Sequence, residues 1–292
     1  MRRPSQGEAV AVWGLLAADV LAVLVTYSVV HPTELYSVSR DGIAGGLSRA
    51  LVQLNFPVAL VAIPLTLLAL GALSRRAWLV GAPAIALCAF VAVPGVLDDE
   101  DLDARPVNAA AAIGAALALA LTIAATRRTG TRFAHRTGGD RWRIAAATVA
   151  VVVSLPWVTA ELGFHLPGGI FLTDDLYAEP GRTATAAVHL GHHHGFAGTL
   201  FVLSALLLSR TGPPGLGMRR AYAALVALAL VYGTTNLAQD LWHEQVVKRG
   251  WASWDVPSAL FPAPSLMWVL MLSATAVVYM FGFARPRSPS QG

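Results

Sequence analysis

The chain is poor in the residues that most chemistry in solution depends on. It has one cysteine, Cys88, among 292 residues. That excludes an internal disulfide and any thiol-pair redox centre. Cys88 sits inside an apolar run, where packing is its expected role. The single lysine, Lys248, excludes a phosphate-binding G-x-x-x-x-G-K-[ST] loop. Neither H-E-x-x-H nor G-x-S-x-G occurs, so the zinc-protease helix and the serine nucleophile elbow are absent. Charge is also scarce. Only 13% of residues are Asp, Glu, Lys or Arg, against about 25% in a soluble domain. What fills the space is apolar: 55% hydrophobic residues and a mean hydropathy of +0.58. These values put the chain in the membrane class.

Eight apolar runs cover about 9–30, 51–74, 78–97, 107–126, 143–164, 184–209, 219–246 and 261–284. Each can cross a hydrocarbon core of roughly 30 Å as a helix. The expected fold is therefore an all-α integral membrane protein, a single bundle of about eight transmembrane helices. The first run is longer than a signal-peptide apolar region and lacks a clear Ala-x-Ala cleavage site, so it reads as a retained span. No internal repeat or second domain is visible, and 285–292 reads as a disordered tail.

Arginine fixes the expected orientation. With the N-terminus and C-terminus cytoplasmic, 15 of the 21 basic residues fall on the inner side, and Arg40, Arg49, Arg105, Arg182, Lys248 and Arg249 fall outside. The same bias explains a pI near 9.6 without a nucleic-acid partner. Three longer connections, 31–50, 165–183 and 247–260, face outward, as does the acidic stretch Asp98-Asp99-Glu100-Asp101 with Asp103, which reads as a solvated loop. Trp251 and Trp254 suit an interfacial belt.

Against this apolar background the polar residues stand out. Half of the eight histidines lie within 189–194. On a helix over 184–209, His189, His192 and His193 share one face at i, i+3 and i+4. The seventh span carries Tyr232, Asn236, Asp240 and His243 in one stripe about 80° wide, with Glu244 at its margin. Glu161 and His165 are i, i+4 at the outer end of the fifth span, where Pro156 predicts a kink. Asp19 lies mid-way along the first span with no partner in its own helix, except that Tyr27 is within reach. An ionisable residue at that depth is a functional candidate by default.

A histidine–carboxylate set at one membrane depth is what a metal centre needs, with neighbouring polar groups to orient the ligands. Without clustered cysteine, zinc or iron is the expected divalent ion. Met267 and Met271, at i, i+4, leave copper open. The expected ligands are His189, His193, Asp240 and His243. Glu161 or Glu244 is the expected catalytic base, with Glu161 alternatively a fifth ligand, and His192, His165, Asn236, Tyr232 and Asp19 orient the ligands or stand in for them. His189-Leu-Gly-His-His matches the H-x-x-H-H box of membrane fatty-acid desaturases and hydroxylases over five residues. Those families use about three such boxes and this chain has one, so the match carries no family assignment.

Three functions follow as expectations. The first is a membrane metalloenzyme in the cell membrane, open to the extracytoplasmic side, that hydrolyses or transfers a group on a lipid or lipid-linked substrate, with metal-dependent oxidation as a variant. The second is a metal-ion or proton transporter using Asp19, Asn236 and the outer histidines. The third is a non-catalytic sensor or assembly protein. A one-sided distribution of polar groups favours the first, because transporters need them in both halves of the membrane.

Overall fold

The computed structural model describes residues 6–29, 40–96, 103–162, 176–177, 185–186, 194–247, 249–254, 256–257, 259 and 264–283. Among them the fold is helical. There are eight helices: α1 (Gly7–Val29), α2 (Gly42–Leu70), α3 (Arg75–Ala92), α4 (Asn108–Thr129), α5 (Asp140–Glu161), α6 (His194–Leu208), α7 (Leu216–Val247) and α8 (Leu266–Gly282). The one exception is a two-residue antiparallel ladder, Leu176–Tyr177 with Thr185–Ala186. Six helices are long and apolar enough to cross a membrane. The described parts of the other two, 15 residues of α6 and 17 of α8, span about 22 and 26 Å at 1.5 Å per residue.

Two expected boundaries are corrected. The second helix begins at Gly42, not near 51, so Arg49 belongs to a helix and not to a loop. The run over 184–209 is not one helix: Thr185–Ala186 is extended, and the helix starts at His194. Small apolar residues such as Ala184, Ala186 and Ala187 raise hydropathy in any conformation, so hydropathy alone cannot place a helix end there.

Helix α2 is the centre of the bundle. In its most apolar stretch 72% of residues are buried, against 22–44% in the other five long helices. Pro57 has no amide proton for the helical ladder. Phe56 before it is extended (φ −133°, ψ 126°), and the six residues Leu54–Ala59 pass through a wider π-type turn. Val58, Val61, Leu65 and Leu68 of α2 then pack with Val12 and Leu16 of α1, Phe201, Ala205 and Leu208 of α6, and Tyr222 and Val226 of α7. Trp13 of α1 donates to Thr122 Oγ1 of α4 at 3.0 Å.

Exposed residues are apolar in turn: Val149, Val151 and Val152 on α5, and Val269, Leu270, Leu272 and Val277 on α8. Several hydroxyls within the helices return to their own backbone, as Thr66 does to Ala62 O at 2.8 Å and Thr159 to Leu155 O at 2.7 Å. Apolar outer faces with helix hydroxyls bonded in this way fit a multi-pass membrane protein.

Two contacts set helix positions. At one end, here the basic face, Glu8 Oε1 accepts from Ala134 N at 2.8 Å and Gly7 N donates to Arg132 O at 3.1 Å. Arg210 reaches Ala134 O at 2.9 Å and Asp140 at 3.5 Å, while Arg143 Nε donates to Ser209 Oγ at 2.8 Å. This clasp ties the starts of α1 and α5 to the end of α6. Further along, α6 and α7 meet backbone to backbone. A Cβ on Gly198 would lie 2.7 Å from Gly233 O, and one on Gly233 2.6 Å from Gly198 O. The obstacles are carbonyls, which cannot swing aside. Gly198→Val is therefore expected to lower the unfolding midpoint in detergent by roughly 5 °C. Gly14→Ala, at a position with open space around it, should leave the midpoint within error. An unchanged midpoint for Gly198→Val would contradict the close crossing.

Candidate functional site

At the start of α2 the usual soluble pattern is inverted. Ile43, Leu47 and Leu51 are exposed, Ile43 by 72%, while Arg49 and Gln53 are each only 4% exposed. Arg49 and Gln53 are i, i+4 and so share the inward stripe. Gly46 makes that stripe usable. A Cβ there would collide with Leu24 O and Ser28 Oγ of α1, so only glycine lets the two backbones approach this closely. Ser48 accepts from Ala104 N at 2.8 Å and donates to Asp103 Oδ1 at 3.2 Å. Asp103 is thus bonded to α2 rather than simply solvated.

Three helices deliver charge to one place. Asp19 Oδ2 of α1 accepts from Gln53 Nε2 at 3.0 Å. Arg49 Nη2 lies 3.6 Å from Glu161 Oε1 of α5. The guanidinium carbon is 5.6 Å from the centroid of the Tyr27 ring, within range of a cation–π contact. Asp19 also lies in the fields of both Glu161 and Arg49. All five side chains are buried, Glu161 to 1% exposure and Asp19 to 6%.

A second polar group adjoins this one along α5. Trp157, one turn before Glu161, packs on Gly195 at the start of α6. The Gly195 amide donates to Asp240 Oδ2 of α7. A carboxylate at a helix N-terminus satisfies an amide that has no partner within the helix and complements the macrodipole. Glu244 and Gln245 are buried one turn further on, where α7 widens into a π-type turn over His243–Val247. His243 Nε2 faces Val256 O at 3.2 Å. Gln239 bonds Val256 O at 3.4 Å and Ala259 N at 3.1 Å, and Trp242 stacks on Trp254 with centroids 4.1 Å apart. The 250s segment is therefore held down on the end of α7.

The expected residues divide accordingly. Tyr232, Asn236 and Asp240 form one buried face of α7. Their bonds then go to different places. Tyr232 meets the Phe201 ring edge-on at 5.2 Å, Asn236 donates to Tyr232 O at 2.8 Å, and Asp240 meets α6. Glu161 faces Arg49. His165, His189, His192 and His193 lie outside the described residues. Among the described residues no group of three or more His, Cys, Asp or Glu could hold a metal ion. Asp240 and His243 on consecutive turns are at most part of such a site.

Arg49, Gln53, Ser48 and Trp157 are the site residues that sequence reasoning missed. A signal existed for the first two: Leu47, Leu51 and Leu54 recur at helical spacing on one side, with Arg49 and Gln53 on the other. Three glycines within 42–46 lower the local hydropathy and hide it. Comparison of the chain with known protein families, with characterised proteins and with solved structures gives no match.

Removing one partner of a buried ion pair leaves the other charge without its counter-ion, at a cost of about 3–5 kcal/mol, whereas replacing both by apolar side chains is often neutral. Arg49→Met should accordingly destabilise the protein by about that amount, and Arg49→Met/Glu161→Met should regain most of it. Additive losses in a double-mutant cycle would show that the two side chains do not interact.

Proposed function

We propose that the chain is an eight-span protein of the cell membrane with both termini cytoplasmic. In this reading it carries a one-sided site, open to the extracytoplasmic face, that hydrolyses or transfers a group on a lipid or lipid-linked substrate. The observation behind it is the distribution of buried charge. Asp19, Arg49, Glu161, Asp240 and Glu244 are buried away from the basic face, and the buried carboxylate at that face, Glu8, is taken up by Ala134 N and Arg210. Between Asp19 and Glu8 the core holds Val12, Leu16, Leu65 and Leu68, each 0–1% exposed, and the hydroxyls of Thr66 and Thr122 there are bonded to Ala62 O and Trp13. A charged route through the whole bundle would have to break that layer, which carries no ionisable side chain. This favours a site over a channel or transporter. Buried charges are retained in membranes mainly where they serve binding or proton movement.

The roles follow from chemistry. Glu161 is the proton acceptor closest to a fixed cation. Arg49 orients its carboxylate, and Glu244 is the alternative base one turn beyond Asp240. Asp240 locks the start of α6 against α7, and Trp157 fills the space below it. A divalent ion, zinc or iron, would be held by Asp240 and His243 together with His189 and His193, which are six and two residues before Gly195 in sequence. Its contribution would be Lewis acidity. The exclusion of water by the surrounding apolar side chains strengthens every charge interaction inside the site.

Metal content tests the metal part of this reading. Protein purified without a histidine tag and dialysed against a weak chelator should retain about one zinc or iron per chain. His189→Ala/Asp240→Ala should lose it. Absence of metal, or metal unaffected by the double substitution, would sink the metalloenzyme reading. Orientation is tested by single cysteines in a Cys88→Ala background. Trp251→Cys should react with an impermeant thiol reagent added outside intact cells, and Arg76→Cys should react only after the membrane is opened. The reverse labelling would overturn the assigned topology.

A further inference from the structure

Asp19 is bonded in a way that an ionised carboxylate in an apolar bundle is not. Oδ2 has one partner, the neutral amide of Gln53 at 3.0 Å, and Oδ1 has none. The nearest cation is Arg49, one turn along α2 from Gln53, but its guanidinium is directed to Glu161. That pairing is loose. The 3.6 Å separation is longer than a normal hydrogen bond, and Arg49 Nε meets no acceptor. Among the described residues the helices around Asp19 supply no other buried group that can ionise. Helix α2 contributes Arg49 and α5 contributes Glu161, while α1 itself contributes Tyr27. Helices α4 and α6 carry no buried ionisable side chain among the described residues.

A buried charge without a counter-ion is costly enough that the group gives it up by binding a proton. A proton also needs no cavity, which suits a carboxyl group enclosed on every side. We propose that Asp19 is an intramembrane proton-binding site, and that Arg49 is a shared counter-ion which moves from Glu161 to Asp19 when the proton leaves. In this proposal the arrangement seen, with Arg49 on Glu161, is the one in which Asp19 holds its proton. On deprotonation the O–H bond of Asp19 breaks, its electron pair stays on the carboxylate, and the proton passes to water at the end where Tyr27 and Glu161 lie. Arg49 turns by about one helical turn, or 5.4 Å, to neutralise the new charge, and Glu161 is released. The apolar layer of Val12, Leu16, Leu65 and Leu68 closes the other exit, so the site exchanges protons with one side of the membrane. The proposal is independent of any metal and of enzyme activity.

Infrared spectroscopy of the full-length protein in lipid tests it. At neutral pH the wild type should show a carbonyl-stretch band from one protonated carboxylic acid per chain, shifted on transfer to heavy water. Asp19→Asn should lose that band. Glu161→Gln should lose it too, because Arg49 is then free to neutralise Asp19. Arg49→Gln/Glu161→Gln should restore it, since no counter-ion remains. This restoration distinguishes an exchanged counter-ion from a band that belongs to Glu161. A band that survives Asp19→Asn, or no band in the wild type, overturns the proton site. A band that persists in Glu161→Gln overturns the exchange. Asn and Gln keep the shape of the acids they replace, and each variant is read only when its unfolding midpoint shows a folded protein.

Discussion

A positive charge enclosed among hydrocarbon side chains needs a negative one within reach, and that requirement organises this bundle. Arg49 can be buried on α2 only if α5 brings Glu161 to it and α1 brings the Tyr27 ring. Gly46 follows from the same need, because the guanidinium reaches the Tyr27 ring only when the backbones of α1 and α2 touch. Ser48 anchors the neighbouring residue to the segment before α4. In this way one arginine sets the relative positions of four chain segments. The ion pair by itself is weak evidence for stability. Its value is that few other arrangements of these helices would satisfy the charge.

The second organising contact uses a dipole in place of a full charge. Asp240 meets the exposed amide of Gly195, so α7 is joined to the N-terminus of a helix it also crosses closely at Gly198 and Gly233. The described part of α6 has 15 residues, about 22 Å of helix. Bonding its first turn to a longer neighbour sets where in the bundle it begins. Trp157 on α5 closes the third side. The two polar groups, one around Arg49 and one around Asp240, are joined along the last turns of α5.

Much of this fold was legible because the hydrophobic requirement of a membrane acts on every residue of a span. All eight apolar runs correspond to helices. The boundaries failed where hydropathy and conformation part company. Gly42, Gly45 and Gly46 make a helical start look like a loop, and Thr185–Ala186, which is extended, lies in a run as apolar as a helix. The site was partly legible for a related reason. Asp19, Glu161 and Asp240 are conspicuous in apolar surroundings, so sequence could flag them. Their partners were not legible, because pairing across helices leaves no mark in local spacing. Arg49 was assigned to an outer loop, where an arginine needs no explanation. On the α7 stripe the spacing shows which residues share a face but not their partners: Asp240 meets the Gly195 amide, His243 faces Val256 O, Asn236 bonds Tyr232 O and Tyr232 meets the Phe201 ring. The histidines of 189–193 lie outside the described residues and stay as the sequence presents them.

The pairing of Arg49 with Glu161 also bears on how the protein is made. Helix α2 leaves the ribosome three helices before α5, and until α5 arrives its arginine has no carboxylate from that helix to meet. In that interval the acid within reach is Asp19 of α1, bonded to Gln53 one turn along α2. The first two helices thus carry their own acid and base as a pair, and Glu161 meets the arginine only when the fifth helix is added.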